Sequence, residues 1–310
     1  MRVFVAGATG AVGRHLVPQL VAAGHQVTAT TRSQGKLAGL RDAGAEPVVL
    51  DGLDAMAVGE AVARAEPEVI VHEMTAIPAD LDLRHFDRSF AVTNRLRTEG
   101  IDHLLAAASA ASVRRVVAQS YAGWPSGRAG GPVTTEADPL VPDQPAAQRE
   151  SFRAISHLEQ VVTSAPLEGV VLRYGNLYGP GASEELITLA RKRRFPVIGS
   201  GAGVWSWLHI ADAASATVAA VAGGAPGIYN VTDDEPAEVA QWLPALAAAA
   251  GARPPMRVPA WVGRLLAGEV GVSMMTQIRG ASNAKARREL DWKPIWPTWR
   301  DGFPKGWISS

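Results

Sequence analysis

Residues 3–13 read VFVAGATGAVG, a short apolar run that ends in a turn carrying three glycines. VFVA (3–6) has the composition of a buried strand, and a helical pattern takes over across 12–23. Strand, glycine turn and helix in immediate succession form a phosphate-binding unit. Gly7 permits the tight turn, Gly10 lets backbone approach a pyrophosphate, and Gly13 allows the helix to pack against the sheet. The helix N-terminus then offers free N–H groups and a positive dipole end to the phosphates. Dinucleotide binding is the expectation.

The end of the next strand, QVTAT (26–30), bears on which dinucleotide. An NAD-preferring site usually places Asp or Glu there, on the ribose 2′-OH. This chain has Thr31, Arg32 and Ser33, with Lys36 a turn later. An arginine can hold a 2′-phosphate through charge-assisted bonds, so NADP is expected over NAD. A solvated surface arginine is the plainer alternative. Asp51, closing a third strand PVVLD (47–51), could accept from the adenine amino group or cap the following helix.

The same rhythm continues outward. VIVHE (69–73), RVVAQS (115–120) and GVVLRYG (169–175) read as strands, with helical patterns over 55–64, 94–108 and 149–162. Strands apolar along their length and separated by helices predict a doubly wound, Rossmann-like parallel sheet covered on both faces. Beyond residue 173 the pattern changes to glycine-rich loop, and eight of the nine tryptophans lie past residue 200. The expected organisation is a dinucleotide-binding domain over 1–172, to which 205–231 returns, and a smaller substrate-binding lobe over 173–310. Residues 120–148 form a long turn-rich loop, a length that usually carries function.

Thirty basic residues balance thirty acidic ones, which gives no general attraction for nucleic acid or an anionic membrane. There is no cysteine, which excludes disulfides, thiol nucleophiles and thiolate metal sites. No apolar run is long enough to span a bilayer. A soluble cytoplasmic protein acting on a small molecule is expected. No metal is expected, because no histidines or acids stand at ligand spacing.

Six segments in order then carry a resemblance. GATGAVG (7–13), VIVHEMTA (69–76), VVAQSYAGWP (116–125), LRYGNLYGPG (172–181) and PVIGSGAGVWSWLHIADAA (196–214) are followed by NAKARRELDWKP (283–294). Together they resemble the extended short-chain dehydrogenase/reductases, the NAD-dependent epimerase/dehydratase family, nearly end to end. The resemblance implies the doubly wound fold and hydride chemistry. It also implies a cofactor set of Gly7, Thr9, Gly10, Ala11, Val12, Gly13, Arg32, Asp51, Gly52, His72 and Tyr174. Ser120 falls at the family's catalytic serine, and Asn176 and Tyr178 resemble positions that touch substrate or nicotinamide.

One part is missing. The family uses a Tyr-x-x-x-Lys pair, in which tyrosine exchanges a proton with the substrate oxygen and lysine lowers the tyrosine's pKa. Counting back from Glu159, the pair would fall at Ser151 and Ile155. Neither sliding nor gapping restores it, because no lysine occurs between Lys36 and Lys192. Tyr121, beside Ser120, is the expected substitute proton donor; His72 is a second candidate, with packing its plainer role. His157, His209 and Asp212 read as structural. Where nucleotide-sugar members of the family carry an arginine, this chain has Trp205, with Trp207 close by. Two indoles suit an apolar or aromatic pocket, or a plain core.

The function expected is therefore an NADP-dependent oxidoreductase acting on a fairly hydrophobic carbonyl or alcohol compound, with non-standard proton delivery. A non-redox enzyme on the same scaffold (isomerase, cyclase or lyase) and an NADP-binding sensor are the alternatives. A homodimer through helices 94–109 and 147–163 is open, since a core would explain their apolar stripes equally well.

Overall fold

The computed structural model of the chain describes residues 1–78 and 80–306. Seven strands form one sheet: β1 (Arg2–Ala6), β2 (Gln26–Thr31), β3 (Glu46–Val49), β4 (Val69–His72), β5 (Arg115–Tyr121), β6 (Glu168–Tyr174) and β7 (Gly227–Val231). Their order is β7-β6-β5-β4-β1-β2-β3 and every pairing is parallel. The chain winds outward from β1 through β2 and β3, then crosses back to β4. A crevice therefore opens at the carboxyl ends of β1 and β4, where such sheets bind ligands.

Burial on both faces explains the unbroken apolar strands. On one face the helices Gly13–Ala22 and Ile210–Ala222 pack through Leu16, Leu20, Ala213 and Ala216. On the other, Ala55–Ala65, Ile101–Ala110 and Arg149–Ser164 bring Val58, Val62, Leu104, Leu158 and Val162 onto the sheet. A third cluster, built around Trp205, Trp207, Trp242, Trp299 and Phe303, forms the core of the C-terminal part.

Three local outcomes matter for the site. The third strand ends at Val49, so Asp51 stands beyond it. The expected helix over 94–108 consists of Ala91–Arg95, a π-helical turn Leu96–Gly100 and Ile101–Ala110. Such turns occur frequently at functional sites. The loop over 120–148 is anchored: Val133–Thr134 pairs with Gly280–Ala281, and the Arg279 side chain donates to Gly131 O (2.5 Å) and Asp138 Oδ1 (3.1 Å). No helix among the described residues is long and apolar enough to cross a membrane.

Candidate active site

The glycine turn has the geometry of a phosphate cradle. Gly7 takes φ +95°, and a Cβ there would lie 2.6 Å from the Glu73 carbonyl carbon. A Cβ on Gly13 would come within 2.4 Å of Gly7 O, so the turn closes only with glycine at both places. Gly10 N donates to Gly7 O at 3.0 Å, while the amides of Ala11 and Val12 have no backbone acceptor among the described residues. Unsatisfied amides at a helix N-terminus can take an anion. The turn therefore fits a dinucleotide pyrophosphate.

Thr9 Oγ1 lies 3.1 Å from Thr31 Oγ1, joining the glycine turn to the end of β2. The next residue, Arg32, is exposed and makes no side-chain hydrogen bond or ion pair among the described residues. It is therefore free to meet a phosphate beside Thr9. Asp51 is exposed and accepts from Leu53 N at 3.1 Å. Gly52 packs so tightly on Met74 that a Cβ would lie 2.3 Å from its sulfur.

Two other members of the expected cofactor set sit below the surface. His72 is 1% exposed, and its Nε2 donates to Leu96 O at 3.0 Å. Burial holds its imidazole pKa below the usual value, so the ring is neutral. Tyr174 is equally buried and donates to Glu73 Oε1 at 2.8 Å, with Thr217 on its other side. Burial pushes the Glu73 carboxyl up to about 8. That acid is not solvated, and Oε2 has no hydrogen-bond partner among the described residues.

At the end of β5 the strand persists through Tyr121, so Ser120 and Tyr121 keep strand alternation. Ser120 is 1% exposed and donates to Glu159 Oε1 at 2.7 Å. The same carboxylate is clasped by Arg173 through Nε (2.8 Å) and Nη2 (2.6 Å). The Ser120 hydroxyl is thus directed into the sheet–helix interface, onto Glu159. Tyr121 is half-buried and donates to Asn176 Oδ1 at 2.9 Å. Asn176 Nδ2 donates to Ser206 O at 3.0 Å, which fixes the amide's orientation. Burial raises the Tyr121 phenol above its ordinary range, so the hydroxyl keeps its proton.

Ser151 and Ile155 occupy the first turns of the helix Arg149–Ser164. The Ser151 hydroxyl donates to Asp87 Oδ1 at 2.7 Å and accepts from Asn94 Nδ2 at 3.0 Å. Asp87 also accepts from the amides of Glu150 (3.0 Å) and Ser151 (2.8 Å), so it caps the helix. Ile155 is 1% exposed and packs in one cluster with Phe86, Phe90 and Trp124. Trp124 lies edge-on to Phe86 at 5.6 Å and near Tyr121 at 6.4 Å. These rings form a buried aromatic cluster beside Tyr121.

The tryptophans singled out from the sequence belong elsewhere. Trp205 and Trp207 are 7% and 0% exposed and stack around Trp242, each with its ring centre 4.8 Å away. Trp205 Nε1 is satisfied by Met274 O at 2.8 Å. Their surface is used in packing the C-terminal core, so neither lines an open cleft. Tyr178 is likewise fully buried, edge-on to Trp207 and Phe303. His209 caps the helix Ile210–Ala222, and Asp212 accepts from Ile295 N (2.7 Å) and Trp296 N (2.9 Å). His157 pairs with Asp102 at the surface.

Of the expected set, the structure brings Tyr121 and Asn176 together at the carboxyl ends of the strands, with the glycine turn and Arg32 along the same edge. Sequence reasoning missed Trp124, Phe86, Phe90 and, above all, Arg97. Trp124 carried a signal, as the single tryptophan before residue 200 and three residues past Tyr121. Arg97 carried none. It sits in the π-helical turn, 6% exposed, with a charge felt by Glu159 and Tyr121.

The profile of the NAD dependent epimerase/dehydratase family matches residues 3–232. The chain belongs to that family. It is 46% identical, over 98% of its own length and 99% of the relative's, to a 3-diazoavenalumate denitrifying reductase of a Streptomyces species. It is 31% identical, over 78% of its length and 71% of the relative's, to a 4-hydroxy-2-methyl-3-oxo-4-farnesyl-3,4-dihydroquinoline-1-oxide ketoreductase of Stigmatella aurantiaca. Among solved structures, the dTDP-glucose 4,6-dehydratase of Streptomyces venezuelae superposes with a TM-score of 0.77 at 24% identity, covering 99% of this chain and 95% of that one. A human epimerase family protein with NADPH gives 0.74 at 20% identity, covering 99% of both chains. The protein is an NAD(P)-dependent enzyme of the oxidoreductase and epimerase type.

Proposed function

We propose that the protein is an NADPH-dependent reductase that removes a diazo group from an aromatic substrate, leaving hydrogen in place of dinitrogen. The observation that carries this reading is the state of the proton-delivery positions. The Ser151 hydroxyl is committed to Asp87, position 155 is an isoleucine, and the Ser120 proton is held by Glu159. Ketone reduction needs a proton for the nascent alkoxide. Loss of dinitrogen does not, because the leaving group departs as a neutral molecule. The similarity to a denitrifying reductase over nearly the whole of both chains supports that chemistry.

Gly7 to Gly13 would hold the pyrophosphate through the amides of Ala11 and Val12, and Arg32 with Thr9 would take the 2′-phosphate of NADP. When bound, NADPH supplies a hydride, so that R–N2⁺ and NADPH give R–H, N2 and NADP⁺, the C–N bond pair leaving with dinitrogen. Phe86, Phe90, Trp124 and Ile155 keep the site apolar. That matters because a diazonium carbon is also open to attack by water, which a dry aromatic wall excludes. Tyr121, held by Asn176, presents a ring against which an arene can lie.

A second reading retains the carbonyl substrate expected from the sequence, with Tyr121 as acid. The similarity to a ketoreductase supports it. The deciding experiment supplies NADPH deuterated at the transferring position together with 3-diazoavenalumate, and follows dinitrogen release and deuterium on the ring carbon. Nitrogen evolution matched to deuterium incorporation supports denitrification. Neither product, with deuterium transferred to the carbinol carbon of a quinoline ketone, would transfer the assignment to ketone reduction.

A further inference from the structure

Among the described residues three arginines are buried: Arg97, Arg115 and Arg173. Arg115 meets Glu168 (2.8 Å) and the carbonyls of Ala220, Gly223 and Gly224. Arg173 forms a two-pronged pair with Glu159. Arg97, though 6% exposed, makes no side-chain hydrogen bond or ion pair among the described residues. The Glu159 carboxylate nearby already receives Arg173 twice and Ser120 once. The cluster therefore carries one cation more than it can neutralise. The Arg97 nitrogens are not among the fully buried unpartnered atoms, so the charged end keeps a narrow exposure through which an anion can reach it, and a largely desolvated charge favours such a partner.

Its surroundings narrow that anion. Arg97 interacts electrostatically with Glu159, Tyr121 and His72, which sets it in the neighbourhood of the carboxyl ends of β4 and β5. The π-helical turn that carries it packs on the helix Arg149–Ser164, the helix bearing Ile155 at the vacated lysine position. Among the described residues, Glu159 is the carboxylate whose charge acts on it. We infer that Arg97 is the specificity-determining residue of the pocket: an otherwise unpartnered buried guanidinium that receives an anionic oxygen of the substrate, carboxylate or phenolate. The inference rests on the reading of this cleft as the substrate site, and it deepens that reading by naming the substrate's charge. Arginine's planar fork suits either oxygen anion. On a phenolate bearing a diazo group, the contact would draw negative charge toward oxygen and leave the diazo carbon more open to hydride.

The test uses the whole protein saturated with NADP⁺ and three aromatic probes, read by tryptophan fluorescence. Cinnamate carries a carboxylate, 4-nitrophenolate at mildly alkaline pH carries a phenolate, and methyl cinnamate carries neither. At least one anion should bind about tenfold or more tightly than the ester, the yield of one charge-assisted hydrogen bond. The anion that gains identifies the source. Arg97→Met should erase the preference, Arg97→Lys should keep part of it, and NADPH affinity should stay within about twofold in both. Without ligand, Arg97→Met should unfold at a higher urea concentration than the natural protein, because an unneutralised buried charge has gone. Equal binding of ester and anions, a preference that survives Arg97→Met, or lost NADPH affinity would overturn the inference. So would a less stable or unfolded Arg97→Met, which would mark Arg97 as a structural residue. Absence of nitrogen evolution with the anion preference intact would sink the denitrification reading alone.

Discussion

Replacing Glu159 by glutamine removes one charge from the base of the site while conserving shape. Glu159 is 4% exposed and accepts three hydrogen bonds, from Ser120 (2.7 Å) and from Arg173 twice (2.8 and 2.6 Å). Glutamine can accept from only one side, and its amide hydrogens would face a donor. Arg173 would then keep one hydrogen bond but lose its countercharge. Removing one partner of a buried pair costs about 3–5 kcal/mol, a large share of a stability of about 5–15 kcal/mol. Urea denaturation followed by tryptophan fluorescence measures it. An apolar swap of both partners is often neutral or stabilising. Here Glu159→Leu with Arg173→Met should stay less stable than the natural protein, because Arg97 loses the one carboxylate acting on it. Adding Arg97→Met should recover the loss. A cost below about 1 kcal/mol for Glu159→Gln, or full recovery in the double variant with Arg97 intact, would refute a cluster held at surplus positive charge.

Arg32→Ala should weaken NADPH binding about tenfold to a hundredfold and leave NADH binding unchanged, the scale of a charge-assisted contact to phosphate; equal losses for both nucleotides would remove Arg32 from the 2′-phosphate site. Tyr121→Phe should keep denitrification turnover within a few-fold and cost about 1 kcal/mol of stability through the lost bond to Asn176. Abolished turnover would instead make Tyr121 the acid of a proton-dependent reaction. Glu73 gives a pH signature. Its carboxyl is raised to about 8 in the folded protein, so the folded state holds the proton that the unfolded chain releases near its ordinary pKa. Its contribution to stability is therefore favourable in acid and falls as pH rises toward 8, by at most about 1.4 kcal/mol per unit. Glu73→Gln should overtake the natural protein increasingly across that window, and a pH-independent difference would show that Glu73 is already ionised.

The sheet was legible because its determinants are local. Alternating apolar strands and helices, with the glycine turn in its strand–helix setting, leave few other arrangements. The site was legible only where position on the chain sets position in space, as with Gly7, Arg32 and Tyr121. The end of β5 was misread, because the chain was expected to leave the strand at Ser120. β5 instead runs on to Tyr121, and the alternation that sends Val116 and Ala118 to the helix side carries Ser120 with them. The tryptophans followed the same logic in reverse: a concentration of indoles is as much a core as a pocket, and Trp242 turns Trp205 and Trp207 inward. Arg97 stayed invisible because arginines crowd the stretch from 84 to 97, and only a π-helical turn decides which of them is buried.

The clasp between Arg279 and the loop at Gly131 also orders events in time. The two residues are 148 positions apart. At ribosomal speeds of about 5–20 residues per second, the loop waits roughly 7–30 s after its own synthesis before its anchor is made. β7, at 227–231, and the strand pair at 280–281 likewise arrive late. A nascent chain can therefore assemble the glycine turn and capture a nucleotide well before its long loop is fastened. The enzyme emerges as a cofactor carrier first, and its long loop is fastened only once Arg279 and the strand after it have emerged.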